Sequence, residues 1–352
     1  MRVLVTGANG FLGKHMVREL VARGHSVRCL VQPGTPCKGH GADGCEACRV
    51  GEASLGEPVP GDLADAAALP SALAGCDAVV HLAALVQEWG PWEPFRRINV
   101  EGTRALATAA SRAGTRRFLF MSSLAVHGRG DFVEGNEDAP RNPAGNPYAR
   151  SKIECEDLLL ALHTRGALET VIVRPGLVPY GEGDVRGFLP LRSTIVSGLM
   201  PVSGNPDRLT CTVYAGNLAR GVALALESPV AAGRTYVITD GNRVSWRDYF
   251  EAIARGSGAR LRLLRLPAGP AILAARLCEG IWGMARGSTS GASRTRPPVT
   301  EYLARLMTRD TRFVSDRAKA ELGYEPIVAF DEAVQRTCRW AKSDLTRRVT
   351  EC

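Results

Sequence analysis

Residues 6–13, Thr-Gly-Ala-Asn-Gly-Phe-Leu-Gly, constrain the fold of this chain more than any other stretch. They follow the β-prone run Arg2 to Thr6 and open a helical pattern from Phe11 to Arg23, so Gly7, Gly10 and Gly13 fall on the turn between a first strand and a first helix. Glycines there have three physical uses: a tight turn, a close backbone approach to a pyrophosphate, and close packing of helix on strand. Amide groups at the helix start then face the phosphates, helped by the helix dipole. The turn reads as a dinucleotide site.

The rest of the first half alternates in the same way. Strands fit Ser26 to Val31, Ala78 to Leu82, Arg117 to Ser122 and Thr170 to Val173, with helices at about Asn99 to Ala113 and Tyr148 to Thr164. Strands separated by helices imply an α/β fold with a doubly wound parallel sheet. From Pro175 onward Pro179, Pro190, Pro201 and Pro206 break the pattern, and a Gly- and Ser-rich patch runs from Gly287 to Ser293. Tyr236 to Ile238 still reads as a strand, and Phe250 to Arg255 and Phe330 to Lys342 as helices. The division expected is a cofactor-binding domain over residues 1–175 with returning segments at about 209–240, and a smaller, partly interleaved substrate lobe from residues 176–208 and 241–345.

The chain has 352 residues, enough for about two domains. Lys plus Arg number 44 against 36 acids, a net charge of +8, which favours an anionic small ligand over a nucleic-acid groove. Met1-Arg2 runs straight into Val3-Leu4-Val5 without an apolar leader, and the ten cysteines suit reduced thiols, so a cytoplasmic protein is expected. Leu266 to Ala285 comes nearest to a membrane span but is broken by Pro267, Pro270, Arg276 and Glu279. It reads as an amphipathic or buried helix, with resting on a membrane surface the lesser alternative.

A second constellation carries proton chemistry. Ser122 and Ser123 end an apolar strand, and Tyr148 and Lys152 stand four apart at the start of a helix, on one face. An ammonium beside a phenol favours phenolate and would draw the tyrosine from about 10 toward neutrality, making it a general acid/base. A serine hydroxyl from the neighbouring strand would hold the substrate oxygen. Gly61-Asp62-Leu63 offers a carboxylate that either accepts from an adenine amino group or caps a helix over Leu63 to Leu73. His81-Leu82-Ala83-Ala84 supplies small residues suited to a wall beside a flat cofactor. The second strand ends in Val31-Gln32, where a carboxylate would mark NAD. With Arg28 and Lys38 nearby, nothing repels a 2′-phosphate, so the choice lies between NADP and NAD and leans to NADP.

TGANGFLG, GDL, HLAA, INVEGT, MSSLAVHG, YARSK and RPGLVPYG, in this order over essentially the whole chain, resemble the extended short-chain dehydrogenase/reductase superfamily. The resemblance implies a Rossmann domain with a smaller C-terminal substrate domain. It implies a catalytic triad of Ser123, Tyr148 and Lys152, with Asn99 helping to hold the relay lysine through water. It would place Gly7, Asn9, Gly10, Phe11, Leu12, Gly13, Gln32, Lys38, Asp62, Leu63, Leu82, Ala83, Ala84 and Ser122 along the cofactor, and Pro175, Gly176 and Val178 at the nicotinamide. The tail segments YVITDGNRVSWRDYFEAIA and RFVSDRAKAELGYEPIVAFDEAVQRTCRW are similar to the 3β-hydroxysteroid dehydrogenase-like branch, which implies ketone and secondary alcohol chemistry on a hydrophobic steroid-, lipid- or polyketide-like substrate. The alternative is a nucleotide-sugar epimerase or dehydratase that recycles a tightly held NAD. A homodimer is compatible with either reading. His127 stands where many members have tyrosine, and LTCTVYAGN at 209–217 lacks the Arg-Asp-Tyr and Val-Asp-Asp pattern of the nucleotide-sugar enzymes.

Cys37, His40, Cys45 and Cys48 have a spacing that could supply a tetrahedral zinc site. The family resembled holds no metal there, and no metal is expected. Trp89, Trp92 and Phe95 either line a hydrophobic pocket or pack ordinarily, and the arginines from Arg286 to Arg317 form either a substrate-facing patch or a solvated face.

Overall fold

The computed structural model describes residues 1–32, 49–50, 53–54, 56–87, 89–128, 130–284 and 300–350. Lys38 and the Cys37, His40, Cys45 and Cys48 set lie outside them, as does part of the late arginine run.

Seven strands form the central sheet: β1 Arg2–Thr6, β2 Ser26–Val31, β3 Glu57–Pro60, β4 Ala78–His81, β5 Arg117–Met121, β6 Glu169–Pro175 and β7 Thr235–Ile238. Their spatial order is β7-β6-β5-β4-β1-β2-β3, and every neighbouring pair is parallel. The reversal of strand order between β1 and β4 opens a crevice at the strand carboxyl ends, where doubly wound folds hold dinucleotides. Near-continuous apolar runs such as Val3-Leu4-Val5 and Ala78-Val79-Val80 are what a sheet covered on both faces requires, and all six residues are fully buried. This is a Rossmann fold.

Helix α1 (Phe11–Ala22) packs Met16, Val17 and Leu20 on one face of the sheet, and α2 (Gly102–Arg112) packs Leu106, Ala107 and Ala110 on the other with α3 (Pro147–Thr164). The uninterrupted helix expected from Asn99 is instead a π-turn over Arg96–Glu101 that runs into α2. A single π-turn inside a longer helical run has no residue type that marks it, so the local sequence does not reveal it. A helix over 63–73 also fails to form beyond Leu69–Leu73. The Asp62 and Asp65 carboxylates take the amides of Ala64 and Ala67, both at 3.0 Å, and these local turns compete with the helix.

A second core joins α4 (Phe188–Val196), α6 (Trp246–Ser257) and α8 (Phe330–Thr350) through Phe188, Ile195, Tyr249, Phe250, Ile253 and Val334. Between them in sequence, α5 (Ala215–Glu227) returns to the first core beside β7. Helix α6 starts four residues before the expected Phe250, because Ser245 and Asp248 form a capping box. The 266–285 stretch becomes α7 (Ala268–Met284). No helix among the described residues is long and apolar enough to cross a membrane.

Candidate active site

The cofactor turn is fixed by backbone crowding. Gly7 has φ +72°, and a Cβ on it would stand 2.9 Å from the Ala83 nitrogen. A Cβ on Gly13 would stand 2.1 Å from the Gly7 carbonyl oxygen, and one on Gly10 3.1 Å from the same oxygen. Gly10 donates to that oxygen at 2.9 Å and precedes α1 with no side chain capping the helix and no acid in its first turn. A cradle of this kind, with no acid in the first helical turn, fits a pyrophosphate. Asn9 sits in the turn, Leu12 packs on the first core, and the Phe11 ring lies against Gly181 and Gly183. His15 on α1 hydrogen-bonds the Glu182 carbonyl at 2.8 Å, tying the helix to the same segment.

The wall after β4 is held by a buried relay. The Thr6 hydroxyl meets His81 Nδ1 at 2.7 Å and accepts from the Ala83 amide at 3.2 Å, while His81 Nε2 meets the Thr103 hydroxyl at 3.0 Å. Burial, with the Lys152 charge, pushes His81 down to about 3, so it stays neutral. Leu82 and Ala83 therefore stand against Gly7 of the glycine turn, with Ala84 the next residue along the wall. Beyond β2, Gln32 donates to Asp62 at 2.6 Å, and Leu63 packs against Gly102 at the start of α2. Arg28 is engaged elsewhere, donating to Glu57 and to the carbonyls of Ser71 and Ala72.

Tyr148 and Lys152 open α3. Asn146 caps the helix, its side-chain oxygen accepting from the amides of Tyr148 at 2.9 Å and Ala149 at 3.1 Å, with Pro147 at the first helical position. Lys152 Nζ lies 5.7 Å from the centre of the Tyr148 ring, 4.5 Å from that of Phe120, and donates to the Met121 carbonyl at 2.7 Å. Ser123 lies close enough to the Tyr148 phenol to lower its pKa, and the Ser123 oxygen accepts from the Ala125 amide at 3.1 Å. Ser123, Tyr148 and Lys152 thus converge at the carboxyl end of β5.

The electrostatics differ from the expectation that the ammonium would draw the phenol toward neutrality. Burial pushes Tyr148 up to about 12 against the opposing influence of Ser123. Burial likewise lowers Lys152 to about 8, against the Cys155 and Glu156 contributions. Desolvation penalises both charges and outweighs the opposing contributions of their neighbours. At neutral pH the tyrosine is a proton donor beside a charged lysine.

Asn99 lies in the π-turn and grips the wall directly: its side-chain oxygen accepts from the Leu85 amide at 2.7 Å, and its amide donates to the Leu85 carbonyl at 3.2 Å and to Ser151 Oγ at 2.9 Å. Pro175 ends β6, and Gly176 donates to the Ile238 carbonyl at 2.9 Å where a Cβ would stand 2.9 Å from the Thr212 oxygen. The Val178 amide donates to the Cys211 carbonyl at 3.0 Å. The Ser122 hydroxyl is committed to Glu156 at 2.5 Å. His127 lies buried against Phe313 and Arg174, away from the triad's hydrogen bonds, and Phe95 belongs to the core. Trp92 packs at the core's edge under the Arg150 guanidinium, 4.0 Å above its ring.

Sequence reading missed the buried pair of Glu156 and Arg174. A signal was present: Arg174 interrupts the apolar Val171-Ile172-Val173, and Glu156 follows Lys152 by four residues.

A glycine turn after β1 and a Ser-Tyr-Lys cluster at the carboxyl end of β5, on a Rossmann sheet, are the arrangement of the extended short-chain dehydrogenase/reductase type. The model of the NAD dependent epimerase/dehydratase family matches residues 3–239, and the chain belongs to that family. It is similar to a 2-alkyl-3-oxoalkanoate reductase of Stenotrophomonas maltophilia, 29% identical with 96% of this chain and 98% of the relative covered. It is also similar to the 4-hydroxy-2-methyl-3-oxo-4-farnesyl-3,4-dihydroquinoline-1-oxide ketoreductase of Stigmatella aurantiaca, 31% identical over 92% of each chain. 3β-Hydroxysteroid dehydrogenases are among further relatives. Among solved structures, the dTDP-glucose 4,6-dehydratase DesIV of Streptomyces venezuelae with NAD and TYD bound superposes with a TM-score of 0.75 at 26% identity, covering 99% of this chain and 98% of that one. The protein is an oxidoreductase of an NAD-dependent family.

Proposed function

We propose that the protein is an NAD(P)H-dependent ketoreductase that interconverts a ketone and a secondary alcohol on a hydrophobic lipid-, polyketide- or steroid-like substrate. The observation that carries this reading is the cluster in which the half-buried Ser123 and Tyr148 stand together one helical turn from the buried Lys152. Ser123 holds the substrate oxygen, Tyr148 gives it a proton, and the Lys152 ammonium stabilises the phenolate left behind. The turn at Gly7, Gly10 and Gly13 holds the pyrophosphate, and the backbone at Pro175, Gly176 and Val178 faces the nicotinamide. When bound, the dinucleotide supplies the hydride. A phenol held near 12 suits proton donation, the reductive direction.

The names of the two relatives, both reductases of a 3-oxo compound carrying an alkyl or farnesyl group, favour this substrate class. A nucleotide sugar is disfavoured by LTCTVYAGN at 209–217. NADP(H) is the cofactor we favour over NAD(H), because the residue after β2 is Gln32 and not an acid.

The test follows nicotinamide absorbance with NADH and NADPH over a panel of 2-alkyl-3-oxo esters and steroid ketones. Tyr148→Phe is expected to lower kcat by about 10²- to 10⁴-fold with cofactor affinity intact. Turnover surviving in that variant overturns the assigned role.

A further inference from the structure

Glu156 is fully buried, two helical turns beyond Tyr148 and one beyond Lys152. Three donors hold its carboxylate: Ser122 Oγ at 2.5 Å, Arg174 through Nε at 2.9 Å and Nη2 at 2.7 Å, and Arg141 at 3.2 Å. Arg174 is itself buried and donates to the Glu137 carbonyl at 2.9 Å, with His127 Nε2 at 3.2 Å. Burial raises the Glu156 carboxyl, but Arg174, Ser122 and Arg141 more than offset it, so the group is held ionised below its ordinary range.

The three elements joined here are those that carry the chemistry. Ser122 precedes Ser123 on the end of β5, Glu156 shares α3 with Tyr148 and Lys152, and Arg174 immediately precedes Pro175 and Gly176 on the end of β6. We propose that Glu156 is a positioning residue that locks the serine strand end, the acid/base helix and the nicotinamide-facing strand end into one geometry. The inference rests on the ketoreductase reading.

A bidentate Arg–carboxylate pair fixes direction as well as distance, and the short Ser122 bond carries that constraint to the peptide beside Ser123. Misplacing a reacting group by about 1 Å costs on the order of 10²-fold in rate. Glu156 also acts through charge. The titratable groups facing Lys152 are Tyr148, Cys155 and Glu156 on its own helix and His81 from β4. His81 is neutral, and burial raises the Tyr148 phenol and the Cys155 thiol, so Glu156 is the anion of this set and favours the protonated lysine.

The experiment compares Glu156→Gln and Ser122→Ala with wild type and Tyr148→Phe in the full chain, using NADPH and a 2-alkyl-3-oxo ester, with active sites counted by cofactor binding. Glu156→Gln is expected to lower kcat about tenfold or more, with KM and cofactor Kd within about twofold, and to move the alkaline limb of kcat to lower pH. Ser122→Ala, which keeps the carboxylate, is expected to lower kcat without moving that limb. Wild-type kcat per active site in Glu156→Gln, or an unmoved alkaline limb, overturns the proposal. If Glu156→Gln does not fold, Ser122→Ala decides it alone, and wild-type kcat there is fatal to it. An active Tyr148→Phe sinks the ketoreductase reading instead, whereas an inactive Tyr148→Phe beside two unimpaired variants sinks only the role of Glu156.

Discussion

The cofactor cradle and helix α7 lie at opposite extremes of constraint in one molecule. Around Gly7 and Gly13, backbone atoms approach so closely that a single methyl has no room. On α7, Leu273, Leu277 and Ile281 are 58%, 59% and 61% exposed, and a Cβ on Gly269 or Gly280 would meet nothing within 4 Å. Close backbone packing is concentrated at the turn between β1 and α1, and the outer face of α7 carries none of it. Apolar residues alone therefore do not identify the parts that matter.

The sharpest way to break that contrast is Gly13→Ala. Its Cβ would fall 2.1 Å from the Gly7 oxygen and 2.7 Å from both the Cα and the oxygen of Ala8, all backbone atoms that cannot step aside. A loss of about 3 kcal/mol in stability is expected, read by denaturant unfolding, together with loss of NAD binding. An unperturbed Gly13→Ala would show that the cradle is looser than the contacts imply.

An intermediate effect comes from pH. His81 is neutral in the fold with its pKa lowered to about 3, below the ordinary 6.5 of an unfolded histidine. Between those values the unfolded chain binds the proton and the folded chain does not, so stability falls as pH drops from about 6.5 toward 3 and is fully present above that window. His127, lowered to about 4, acts in the same direction. The melting temperature should fall on acidification through this range, and His81→Gln should flatten part of the slope. An unchanged slope would remove His81 from the account.

The smallest effect belongs to α7. Gly280→Ala adds a methyl in open space within a helix and should stabilise the fold by about 0.5–1 kcal/mol, with kcat unaltered. A destabilised variant would mean that this face packs on something in solution.

The sheet and the cradle were legible because their signals are local. Arg2–Thr6 and Ser26–Val31 appear where the apolar runs place them, and the glycine spacing and the four-residue step from Tyr148 to Lys152 are properties of a turn and of a helix. Helix edges were less legible where side chains compete with backbone, as at Asp62 and Asp65, or where an extra residue enters a turn, as at Asn99.

The sequence by itself determined the class of fold, the glycine turn between β1 and α1 and the placing of Tyr148 and Lys152 one turn apart on a helix, because periodicity and turn chemistry act over a few residues. Only the tertiary structure decided that Asn99 grips Leu85, that Glu156 joins Ser122 to Arg174, and that burial raises the Tyr148 phenol where a neighbouring ammonium alone would lower it. Those outcomes depend on which distant segments meet and on how much water their meeting expels, and desolvation is a property of the packed molecule that no short stretch of chain encodes.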